Sequence, residues 1–99
     1  MTEPLNKFEA LEGFLAGNFA DADLAGQSDD QAAVADLNSV TLPWHCEVLR
    51  QARIALREPR LDWRHIAGCA NRPFSDEGEA RAWLSRIAAA LERGIARFD

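Results

Sequence analysis

The chain has 99 residues, 47 % of them apolar and 27 % charged, with a formal net charge of −5. That length suits one domain over residues 1–99, and that composition excludes a disordered tail. No apolar run approaches the roughly 18 residues of a membrane span, and the acidic start MTEPLNKFEA is unlike a secretory signal.

Two cysteines, Cys46 and Cys69, are too few for a disulfide framework and would stay as thiols in a reducing compartment. The expected location is the cytoplasm. Charge is uneven: residues 1–50 carry −7 and residues 51–99 carry +2. Such a chain lacks the basic footprint that nucleic acid requires and suits a basic protein partner.

Leu5, Phe8, Leu11, Phe14, Leu15 and Phe19 recur at helical spacing with Glu9 and Glu12 outside them, which predicts a helix from about Pro4 to Gly17. Asp21 to Gln27 is a polar connection. Ser28 with Gln31 forms a capping-box pattern, and Ala33, Val34, Leu37 and Val40 predict a short helix over about Asp29 to Ser39. Thr41 and Pro43 open the next helix, with Trp44, Val48, Ala52, Ala55 and Leu56 as its inner stripe and Glu58-Pro59 as its end. Asp62 caps one or two turns carrying His65 and Ile66, which Gly68 ends.

The stretch from Ser75 to Asp99 organises the rest. Ala80, Trp83, Leu84, Ile87, Leu91, Ile95 and Phe98 share one helical face, and Asp76 with Glu79 supplies a start signal. Gly94 interrupts that helix as a soft spot, at a cost of roughly 1 kcal/mol against Ala. No stretch alternates as a strand does. The prediction is an all-α bundle of four to five helices.

The pattern offers little chemistry. It holds no Gly-rich phosphate loop, no GxSxG and no HExxH. His45, Cys46, His65 and Cys69 are borderline-soft ligands, which makes a small zinc protein one reading; adjacent His45 and Cys46 would point about 100° apart on a helix, and the spacing matches no usual zinc pattern. The other reading has both cysteines as small buried hydrophobes and both histidines partly exposed at helix ends. Asp21, Asp23, Asp29 and Asp30 lie in a polar loop and a helix start, where carboxylates stay ionised rather than acting as catalytic acids. Trp44 and Trp83 sit at core spacing, while Trp63 is open to an exposed anchoring role. The expectation is a non-enzyme that needs no metal or cofactor.

Two segments resemble a known family. FEALEGFLAGNFADADL, from Phe8 to Leu24, resembles the opening of the small immunity proteins of contact-dependent growth inhibition systems. There an amphipathic helix ends in an aromatic-rich segment followed by acidic residues. GCANRPFSDEGEARAWLSRIAAAL, from Gly68 to Leu91, is similar to the family's Gly-Cys segment, its proline-containing loop and its closing helix with a Trp-Leu pair; these are Gly68, Cys69, Pro73, Trp83 and Leu84. The chain departs from the family at Ala20-Asp21-Ala22-Asp23, where a His-Gln-Asp-Trp-like segment is usual.

The resemblance implies a bacterial immunity protein that binds a toxin domain, commonly a nuclease, in a 1:1 complex and blocks it without a cofactor, a membrane or nucleic acid. In that reading Cys69 belongs to a structural turn. Nuclease domains present basic surfaces to hold phosphates. The expected contact residues are therefore Glu9, Glu12, Asp21, Asp23, Asp29, Asp30 and Asp36. An acidic toxin would favour Arg50, Arg53, Arg57, Arg60 and Arg64 instead. A helical adaptor for some other protein is the rival interaction reading.

Overall fold

The computed structural model describes residues 8–19 and 26–98. Among these it contains five α-helices and no strand: α1 (Glu9–Phe19), α2 (Asp29–Val34), α3 (Leu42–Arg57), α4 (Trp63–Ala70) and α5 (Glu77–Ala96). The predicted start at Pro4 lies outside the described residues, and α1 runs past Gly17 to Phe19.

α5 is the spine. Its Asp76 carboxylate accepts from the Glu79 backbone N–H at 2.8 Å, while the Glu79 carboxylate reaches past the cap to Ser75 N–H at 2.9 Å. One first-turn donor and the N–H just before the cap are thereby satisfied. Its apolar stripe packs on α2, α3 and α4. Ala80, Trp83, Leu84, Ile87 and Leu91 are buried as the spacing requires, whereas Ile95 is only partly covered and Phe98 is exposed. Each fully buried leucine or isoleucine contributes about 1.5–3 kcal/mol. On the other side of the core α1 packs on α3 and α4, and Phe14, Leu15 and Phe19 are wholly buried.

Long side chains stitch the helix ends together. Arg81, near the start of α5, donates to the carbonyls of Leu56 (2.9 Å) and Glu58 (2.6 Å) at the end of α3. The guanidinium thus satisfies carbonyls that a helix terminus leaves free, and it holds α3 antiparallel to α5. At the start of α1, Leu11 N–H donates to the side-chain oxygen of Gln51 at 2.9 Å, so α3 supplies a cap that α1 lacks in its own sequence.

Four local expectations are corrected. α2 stops at Val34 rather than near Ser39, because the Asn38 carboxamide accepts from the N–H groups of Val40 (2.8 Å) and Thr41 (3.0 Å), giving the backbone a turn in place of a helix. The Thr41 hydroxyl joins that turn by donating to Asp36 O at 2.9 Å, and it makes no cap to α3. α4 continues through Gly68 and ends at Asn71, which takes the left-handed conformation at φ 55°. The inner face of α3 keeps Val48, Ala52 and Ala55 but differs at its start: His45 is fully buried, and Trp44 remains 41 % exposed. Two polar side chains, His45 and Gln51, thus stand on the buried stripe with Val48, Ala52 and Ala55.

Gly94 is a contact point rather than a soft spot. A Cβ there would stand 2.8 Å from Val34 Cγ1 and 2.9 Å from Leu37 Cδ2. The missing side chain is what lets the end of α2 lie against α5.

Candidate functional site

The acidic residues expected at the contact surface divide into groups. Asp29 opens α2 and turns inward. Its carboxylate accepts from Arg72 at 2.6 and 3.3 Å and from the Trp83 indole N–H at 2.7 Å, with Arg86 at 3.8 Å. The Arg72 hydrogen bond holds its carboxyl below the usual 3.8; the indole helps and partial burial opposes. Asp29 therefore ties the start of α2 to α5 and to the loop after α4. Its neighbour Asp30 faces outward and meets Arg86 at 3.2 Å.

Glu12 pairs with His65 Nε2 across α1 and α4 at 3.0 Å. Glu9, one turn earlier, and Asp36, in the turn after α2, are both exposed. Glu9 and Phe19 mark opposite ends of α1, roughly 15 Å apart, and Glu12 stands roughly 10 Å from Phe19 along the helix. Asp21 and Asp23 fall outside the described residues.

The four candidate metal ligands are not brought together. His45 and Cys46 belong to α3, His65 and Cys69 to α4, and these two helices do not pack directly on each other. Among the described residues no group of three or more His, Cys, Asp or Glu is placed to hold a metal ion. His45 is not at an exposed helix end but buried between the rings of Phe14 and Trp44, with Nδ1 3.0 Å from Thr41 O and Nε2 without a partner among the described residues. Cys46 is exposed rather than buried, and Cys69 is half-buried.

Cys69 Sγ lies 3.7 Å from His65 Nε2, which makes Glu12, His65 and Cys69 a local cluster. Its geometry is not that of a relay, because thiol and carboxylate meet the same ring nitrogen. Burial, with the Glu12 charge behind it, pushes the Cys69 thiol up, away from the thiolate that a nucleophile needs. An apolar cleft of about 320 Å³ opens beside this cluster, walled by Leu11, Leu15, Leu61 and Ile66.

The surface feature that sequence spacing missed is at the other end of α1. Val40, 85 % exposed, and Trp44, 41 % exposed, stand where the turn after α2 enters α3. In the chain, Asp36 precedes them in the turn after α2, and Glu47 follows one helical turn after Trp44 on α3. The Glu47 carboxyl is held down at about 2, first by its hydrogen bond from Arg50 and then by Gln51. The Trp44 ring meets Phe14 at a tilt of 60° (centroids 6.2 Å apart) and His45 nearly perpendicular (5.0 Å), so the indole is braced by two rings while part of it stays open. The sequence offered no signal for this beyond the adjacency of His45 and Trp44, either of which can open a stripe that continues through Val48, Ala52 and Ala55.

No family model, curated protein or solved structure matches this chain. Among the described residues no helix is long and apolar enough to cross a membrane.

Proposed function

We propose that this chain is an immunity protein, a stoichiometric inhibitor that binds the toxin domain of a contact-dependent growth inhibition system in the cytoplasm and protects the cell that makes it. The reading rests on the resemblance of Phe8–Leu24 and Gly68–Leu91 to that family. The structural observation that supports it is the exposed Val40–Trp44 pair between Asp36 and Glu47. A braced tryptophan that stays partly open is the kind of anchor that dominates protein interfaces. Carboxylates around it suit the basic surface of a nuclease domain, where opposite charge speeds encounter and fixes orientation. Glu9 adds exposed charge of the same sign on α1, whereas Glu12 and Asp30 already face His65 and Arg86.

The test is co-expression with the toxin domain encoded directly beside this chain. A 1:1 complex that survives gel filtration, together with loss of toxin activity, supports the proposal. A cell that expresses this chain and remains fully sensitive to that toxin overturns it.

A further inference from the structure

A cleft of about 500 Å³ runs between α3 and α5. Its α3 positions centre roughly half a turn round the helix from the mean direction of His45 and Gln51, the residues that meet α1, with Leu49 at the edge of the core face. Leu49, Ile54 and Ile95 supply its apolar surface, and Arg50, Arg53 and Arg57 supply three guanidinium groups in a row roughly 10 Å long. This is a basic, apolar groove on a chain whose net charge is −5.

Two of the arginines hold exposed internal pairs, Arg50 with Glu47 and Arg53 with Glu92 at 2.7 Å. Solvent-exposed pairs of this kind are weak and exchange readily for a better carboxylate. The Arg57 guanidinium makes no hydrogen bond or ion pair among the described residues. The acids Glu47 and Glu92 interrupt the row, which disfavours a continuous phosphate backbone, and phosphates have no use for the three apolar side chains.

We propose that this groove receives an acidic amphipathic helix of a protein partner. Its apolar stripe lies on Leu49, Ile54 and Ile95. Its carboxylates, at i, i+3 and i+7, face Arg50, Arg53 and Arg57, whose own spacing is 3 and 4 residues. The inference rests on the reading of this chain as a protein-binding protein, but not on the identity of the toxin.

The probe is a synthetic helical peptide of roughly 15 residues carrying a leucine stripe flanked by glutamates at that spacing. Its glutamine counterpart is the control, and both are titrated against the full chain by fluorescence anisotropy. The glutamate peptide is expected to bind about tenfold more tightly than the glutamine peptide, and to lose about tenfold in the Arg50→Gln/Arg53→Gln/Arg57→Gln variant. The single change Arg57→Gln, which breaks no internal bond, is expected to weaken binding by severalfold without moving the melting temperature. In a Cys69→Ser background the bound peptide is expected to slow alkylation of Cys46, which lines the same cleft. Equal binding of the two peptides, no binding of either, or tighter arginine-dependent binding of a single-stranded oligonucleotide or of phosphatidylglycerol vesicles overturns the proposal. Because the probe is a peptide, any of these results leaves the toxin-binding test above unaffected.

Discussion

The indole N–H of Trp83 donates to the Asp29 carboxylate at 2.7 Å, joining the first turn of α2 to the middle of α5 across 54 residues. The same carboxylate takes Arg72 from the loop after α4. One acid therefore fixes three elements, and with side-chain exposures of 17 % for Asp29 and 12 % for Arg72 the pair is largely shielded from solvent.

Asp29→Asn is expected to destabilise the fold by about 2 kcal/mol near neutral pH, because a neutral amide gives up the charge-assisted bonds that the carboxylate accepts from Arg72 and the Trp83 indole. The pH dependence has a defined sign. The carboxyl is depressed in the folded state, so its contribution is present above the unfolded value and is lost as pH falls through the lower folded one. Urea denaturation of both proteins from about pH 6 to pH 2 checks this: the gap between wild type and variant should be full at the upper end and close below about 3.8. A gap that stays constant across the range would show that Asp29 is not held as a paired carboxylate.

Glycine to alanine changes should split by position. Gly17 and Gly68 lie inside α1 and α4, and a Cβ at either meets nothing within 4 Å. Alanine there is expected to raise stability by about 0.5–1 kcal/mol. Gly94→Ala gains the same helix propensity but drives a methyl against Val34, whose β-branched side chain has little rotamer freedom. The expected net effect is a loss of about 1 kcal/mol. Thermal melts of the three variants suffice, and stabilisation by Gly94→Ala would contradict the close approach of α2 to α5.

Gln51→Leu preserves bulk and adds apolar surface on a buried face, yet it should cost about 1–3 kcal/mol. The reason is that Leu11 N–H would be left buried without an acceptor. Hydrogen exchange of the first turn of α1 should rise along with the loss of stability. If the leucine variant is as stable as wild type, water or another group takes over that donor.

Trp44→Ala should weaken the toxin complex by about 2 kcal/mol beyond its effect on the fold, which it should lower by about 1–3 kcal/mol, since the covered part of the ring packs on Phe14 and His45. Asp36→Asn should act on the association rate and its salt dependence instead. Stopped-flow mixing separates the two effects. A Trp44→Ala protein with unchanged affinity would move the interface elsewhere on the surface.

Much of the fold was legible in the residue order because it depends on neighbours within one or two turns. The stripe from Ala80 to Leu91, the Ser28–Gln31 box and the Asp76 cap all arise from contacts spanning three or four positions, and they fall where spacing predicts. The early end of α2 was also local, but the Asn38 side chain competed with the helix and apolar spacing carries no record of that competition.

The sequence by itself determined the helix inventory, the absence of any strand pattern and the uneven charge. The tertiary structure decided which acids are exposed and which are internal. Asp29 and Asp30 are adjacent and chemically identical, yet one is tied to Arg72 and Trp83 and the other looks outward, because only the packing of α2 on α5 distinguishes their directions. The same holds for His45 against Trp44 and for Gly94. In each case the deciding partner is more than 25 residues away in the chain, a separation over which periodicity has no information and close packing has a great deal.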